Sequence, residues 1–290
     1  MGSTESAQAA VVTLHEQTFW RHLMSHSVAP HEISKAASLY KVNGWFLVRS
    51  AVATSTCDAL HNHCIANEDV FGAVDYNSRS PCGRRFSLSS GIFWDCDAWW
   101  QLLENQCLLA MVEFCVGDGW NRWHLTKCGG DTVLGHMPAD QELHSDPAGG
   151  LQVWYHERYG LQNHRRPAAV HVSLAVHDIH PDQGPMRISD WGGTSRWLRG
   201  CEPHVRSLPC PKGWVVVRDI RVVHSGTANN TSVDRWLPGY LACSNLMMCE
   251  GYEDGSAYRP ARTLPAWLWE AAHRRDSPTR HRLDYMYKCD

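Results

Sequence analysis

The chain has 290 residues, 43% of them hydrophobic, and a formal charge of −3 from 27 basic and 30 acidic side chains. That length buries a sizeable core in one or two domains. The balanced charge has no long run of one sign, so it offers no basic stripe for nucleic acid or an anionic membrane surface. No stretch approaches 18 uninterrupted apolar residues, and no transmembrane helix is expected.

Residues 1–10 are small and polar, without the basic start and apolar run of a secretion signal; 1–12 read as a disordered tail. The twelve cysteines are scattered, with no Cys-x-x-Cys pair, which predicts reduced thiols and a cytoplasmic setting. Residues 13–27 and 30–42 have helix-like spacing, 44–48 form a short apolar strand, and 55–68 return to a helical pattern. The Arg84-Arg85 pair could meet an anionic substrate such as a CoA ester, but a solvated surface pair is the favoured reading. From about Trp120 the texture changes to short β-like runs at 168–176, 213–217 and 238–244, with turn signals at 182–185 and 191–194. A last packed helix is predicted at 265–274. Neither an internal repeat nor a low-complexity linker interrupts the chain. It therefore reads as one α+β domain over 1–290: a jelly-roll barrel (double-stranded β-helix) with N-terminal helices packed outside.

The chemistry starts at His144-Ser145-Asp146. Residues two apart on an extended chain point to one face, so an imidazole and a carboxylate can meet the same ion. Two histidines and one carboxylate form the facial triad of non-haem Fe(II) oxygenases, with three positions left open. His-x-Asp alone is a weak signal. A second copy, His180-Pro181-Asp182, lies on a proline-glycine turn and is read as a chance match. The segment from Gly213 to Gly226 reads as a strand, a turn and a further strand delivering His224. Asp219 is read as fixing the turn, and Asn229 as shaping the loop that follows. Arg235, at the start of another apolar run, offers a planar two-donor fork to the distal end of a dicarboxylate. His171 and His177 would share a strand face and His180 would not, which assigns them core or surface roles. Most of the fourteen tryptophans belong to the core, while Trp94, Trp154, Tyr155 and Trp191 are candidate walls of an apolar cavity.

These residues together resemble the phytanoyl-CoA dioxygenase family. The matches are Gly44 before an early strand, His144 and Asp146, the turn Gln183-Gly184-Pro185, and then Gly213, Asp219, His224, Asn229 and Arg235. They span about two hundred residues. The chain departs from the family's pattern at 189–193, where Ser-Asp-Trp-Gly-Gly replaces Pro-Gly-Ser-His, and at His180, which replaces a threonine. The resemblance implies an Fe(II)- and 2-oxoglutarate-dependent dioxygenase that uses O2, releases succinate and CO2, and hydroxylates a C–H bond of a small organic substrate. It implies His144, Asp146 and His224 as metal ligands, and Arg235 as the partner of the 2-oxoglutarate 5-carboxylate. Gln141, three residues before His144, matches a glutamine that assists 2-oxoglutarate binding in fungal members. Two rival readings are a catalytically silent jelly roll that binds metal or ligand, and the same chemistry on a protein side chain. A nucleic acid partner is disfavoured by charge.

Overall fold

The computed structural model describes residues 20–21, 23–68, 84–88, 93, 96–116, 123–146 and 169–244. The tail at 1–12, the helix at 265–274, and Trp94, Trp154 and Tyr155 lie outside them.

The architecture is mixed α+β, built on a large sheet. Ten strands are described: β1 (Ser27–Val28), β2 (Trp45–Val48), β3 (Arg85–Leu88), β4 (Trp123–Val133), β5 (Ala169–Leu174), β6 (Met186–Ser189), β7 (Val205–Leu208), β8 (Val215–Asp219), β9 (His224–Gly226) and β10 (Arg235–Ser244). Seven pair in the order β1-β2-β8-β5-β10-β4-β3, and three form a second sheet, β7-β6-β9. Every pairing is antiparallel except β1 with β2.

The central strands β2 and β8 are buried on both faces, which is why Trp45–Val48 and Val215–Val217 are continuous apolar runs. Phe46, Val48, Val172, Val217, Trp236 and Tyr240 face the helices in one core. Trp45, Leu47, Val216 and Leu237 face the other way and pack with Ile188 and Leu208 of the small sheet in a second core. This period-two division puts the two sheets face to face with apolar side chains between them.

Five helices are described: α1 (Ile33–Asn43), α2 (Thr54–Ala66), α3 (Asp97–Leu103), α4 (Gln106–Val116) and α5 (Trp191–Leu198). α1 buries Ala36, Ala37, Tyr40 and Asn43, and α2 buries Thr56, Cys57, Leu60 and Cys64, each a single stripe at helical spacing. α1 stops at Gly44, whose φ of +80° continues the chain directly into β2. A Cβ there would lie 2.4 Å from the Val222 side chain and 2.8 Å from the Trp191 ring, so the position demands glycine twice over.

One expectation about the secondary structure fails. Residues 191–194, read as a turn, are the first turn of α5. Asp190 is the N-cap, and its carboxylate accepts the Gly193 amide at 2.7 Å. The two glycines serve close packing there, since a Cβ on Gly193 would sit 2.1 Å from Ser189 Oγ. Among the described residues no helix is long and apolar enough to cross a membrane, and the cysteines whose side chains are described are free thiols.

Candidate metal centre

His224 opens β9, and the backbone of His144 pairs with it as an antiparallel bridge. The two amides and carbonyls are exchanged at 3.0 and 2.8 Å. The Asp146 amide donates to Ile220 O at 3.0 Å, in the turn that precedes β9. Segment 144–146 is therefore held along the start of β9 and the end of the β8 turn, and its two alternate side chains share a side. The donor atoms of His144, Asp146 and His224 all lie within 4.8 Å of one another.

The ring orientations suit a metal ion. Nδ1 of His144 lies 2.8 Å from Glu142 O, and Nδ1 of His224 lies 2.9 Å from Val222 O. A carbonyl only accepts, so each Nδ1 carries the proton, and Nε2 is the ring atom that would take a metal. His224 Nε2 stands 3.5 Å from Asp146 Oδ1, close to the roughly 3 Å between neighbouring ligands of an octahedral ion. Two neutral imidazoles and a carboxylate on one side are a donor set for a divalent transition metal.

Arg218, at the end of β8, donates to Asp146 Oδ2 at 2.6 Å; the arginine is buried and the aspartate half-buried. Burial pushes the Asp146 carboxyl up, but the Arg218 guanidinium beside it holds it well below the usual carboxylate range. It is therefore a committed anion. The sequence reading did not single out Arg218. Its signal was an arginine inside an otherwise apolar strand, Val215-Val216-Val217-Arg218.

A second charged cluster lies on the same inner face of the large sheet. Arg235 begins β10 and donates to Asp131 Oδ2 of β4 at 2.7 Å. Arg85 of β3 approaches the same oxygen at 3.6 Å and donates to Thr227 O at 2.9 Å, tying the edge of the large sheet to the end of β9. Both arginines are only 1% exposed, and Arg85 Nε and Nη1 and Arg235 Nε have no hydrogen-bond partner. Two buried cations thus share one carboxylate. Burial lowers the Arg85 guanidinium, with Asp131 opposing and the nearby Arg235 charge adding to the effect. Such an excess of buried positive charge calls for an anion. This corrects the reading of Arg85 as a solvated surface residue. Gly226 is what makes room for it: a Cβ at 226 would lie 1.8 Å from Arg85 Nη1.

The remaining candidates separate cleanly. Gln141 accepts the Gly226 amide through Oε1 at 3.2 Å, and its own amide donates to Gly226 O, so it braces β9. Asp219 fixes the turn as expected: it accepts from Arg221 N and Nε through Oδ1, and from Arg221 Nη2 and the Tyr40 hydroxyl through Oδ2. Asn229 is fully buried and bonds Val233 O and Thr231, which closes the loop after β9. His171 is neither core nor surface in the sense expected. It lies half-buried on β5, with Nδ1 2.9 Å from Ser173 Oγ and paired in register with Arg218 of β8. His177 lies beyond β5 against His61, and His180 is exposed. Trp191 packs in the core between the sheets, under the Arg221 guanidinium at 5.1 Å.

No family model matches the chain, and no curated protein matches it in sequence. Solved structures do. The non-heme alpha ketoglutarate dependent epimerase SnoN from nogalamycin biosynthesis has a TM-score of 0.56 at 15% identity, over 74% of this chain and 84% of its own. EctD from S. alaskensis, solved with 2-oxoglutarate and 5-hydroxyectoine, gives 0.55 at 16% identity over 76% and 80%. The non-heme monooxygenase ThoJ, in a Ni complex, gives 0.51 at 14% over 72% and 77%. The chain has the jelly-roll fold of these proteins.

Proposed function

We propose that the protein is an Fe(II)- and 2-oxoglutarate-dependent oxygenase of the phytanoyl-CoA dioxygenase type, acting on a C–H bond of a small organic substrate. The observation that carries this reading is the convergence of His144, Asp146 and His224, with both imidazoles locked to offer Nε2. The likeness to SnoN and EctD supports it.

In this reading His144 Nε2, His224 Nε2 and an Asp146 oxygen hold the iron. Bound there, iron with 2-oxoglutarate and O2 supplies the oxidising power for C–H hydroxylation, with succinate and CO2 released. The chain's own residues bind and orient. Arg235 anchors the 5-carboxylate of 2-oxoglutarate, and Arg85 adds a second cation beside it; their partnerless nitrogens are what a carboxylate would satisfy. Gln141 has its carbonyl oxygen committed to β9, so its amide N–H groups are what it has left for the cosubstrate. Leu237 and Ile188 in the core between the sheets help keep water out.

The test is an anaerobic titration of metal-free protein with Fe(II) and 2-oxoglutarate, read by the visible metal-to-ligand charge-transfer band. The band should form, then vanish on oxygen exposure as succinate appears. Folded, metal-loaded protein that gives no band would favour the silent binding jelly roll.

A further inference from the structure

We infer that Arg218 is a positioning residue that restricts Asp146 to offering the metal a single oxygen. The inference rests on the metal reading above and goes beyond it. Arg218 Nη1 holds Asp146 Oδ2 at 2.6 Å, while Oδ1 stands 3.5 Å from His224 Nε2. One carboxylate oxygen is thereby occupied and the other is turned toward the histidines. The guanidinium cannot simply drift away. It belongs to a β8 residue with partners on both sides, Trp45 of β2 and His171 of β5, and it is 4% exposed. Its Nε has no hydrogen-bond partner, so no second bond draws the guanidinium away from Asp146.

The consequence is a matter of counting positions. Two imidazoles and one carboxylate oxygen leave three positions on a six-coordinate ion, two for a chelating 2-oxo acid and one for oxygen. A carboxylate free to chelate with both oxygens would take one of those three. Arg218 prevents this by keeping Oδ2 in a charge-assisted hydrogen bond. It thus acts on cosubstrate binding without touching the cosubstrate.

The experiment compares wild type with Arg218→Met, Arg218→Lys and Arg235→Ala. Co(II) binding is measured by its ligand-field spectrum, and 2-oxo acid binding by the anaerobic Fe(II) charge-transfer band. Two acids are used: 2-oxoglutarate, and pyruvate, which lacks the distal carboxylate. Arg218→Met should bind Co(II) at least as tightly as wild type, with an altered spectrum. It should bind both acids roughly tenfold more weakly. Arg235→Ala should weaken 2-oxoglutarate alone. Arg218→Lys, which keeps a donor for Oδ2, should recover part of the loss, and it carries the test if the Met variant does not fold. Unchanged affinity for both acids in the Met variant overturns the inference, as does loss of Co(II) binding from folded protein. If wild type binds neither metal nor 2-oxo acid, the metal reading itself fails and takes this inference with it.

Discussion

Gly226→Ala tests the arrangement of the charged cluster through a single methyl group. The new Cβ would lie 1.8 Å from Arg85 Nη1, 2.5 Å from Cζ and 2.8 Å from Nη2. Non-bonded contact needs about 3.5 Å, so the guanidinium must retreat by well over an ångström. Steric relief alone is cheap, because the guanidinium ends a flexible stem. The cost comes from what it leaves: the 2.9 Å bond to Thr227 O and the shared ion pair with Asp131. Losing one charge-assisted hydrogen bond at a buried site costs about 1.5–3 kcal/mol. Urea unfolding should therefore show a loss of about 2 kcal/mol, and 2-oxoglutarate affinity should fall by about tenfold, the equivalent of 1.4 kcal/mol. Arg85→Ala combined with Gly226→Ala should cost less than the two single losses added, with a coupling of about 0.5–3 kcal/mol. An alanine variant with wild-type stability and wild-type 2-oxoglutarate affinity would refute the placement of Arg85 over Gly226.

Three further outcomes follow from the same geometry. Arg235→Ala should raise the apparent KM for 2-oxoglutarate by about 10–100-fold, as loss of a charged hydrogen bond predicts, with far less effect on circular dichroism; an unchanged KM moves the anchor elsewhere. Asp219→Asn leaves the buried Arg221 cation uncompensated and weakens its hold on Tyr40, which should cost about 3–5 kcal/mol in urea unfolding; a loss under about 1 kcal/mol would mean the network is not needed for stability. His177 has its pKa pushed down to about 4 by burial, with His61 and Arg235 adding to the effect. Between about pH 4 and 6.5 the unfolded chain therefore binds more protons than the folded one. Stability from this group is complete above about pH 6.5, falls as pH drops toward 4, and is level below. The change should be about 2 kcal/mol after allowing for residual solvent contact, and His177→Gln should flatten that part of the profile; an identical profile in the variant would contradict this.

Much of the candidate metal site, the meeting of His144, Asp146 and His224, was legible because its signals are local. His144 and Asp146 are two apart on an extended segment, and 213–226 carries its strand, turn and strand in consecutive residues. The helices at 33–43 and 54–66 and the strand at 45–48 were equally plain, since each carries its own periodicity or apolar run. α3 and α4 were not, because short, heavily buried apolar runs do not separate strand from helix. Arg85 was misread for another reason. Its partners, Asp131 and Thr227, are distant in sequence, and a two-arginine run beside Pro81-Cys82-Gly83 looks solvated from local composition alone. Arg218 is similar: its role exists only once β8 lies beside the segment that carries Asp146. At 191–194 the two glycines outweighed the capping signal of Asp190, although that aspartate is the feature that fixes the helix.

The lodging of Arg85 in the space left by residue 226 also limits how this protein can change. The two positions sit on different sheets, so any lineage that gives residue 226 a side chain must give up the arginine first or bear the collision in between. Within this pair, change would have to begin at residue 85 on β3. Position 226 of the strand that carries His224 could vary only afterwards.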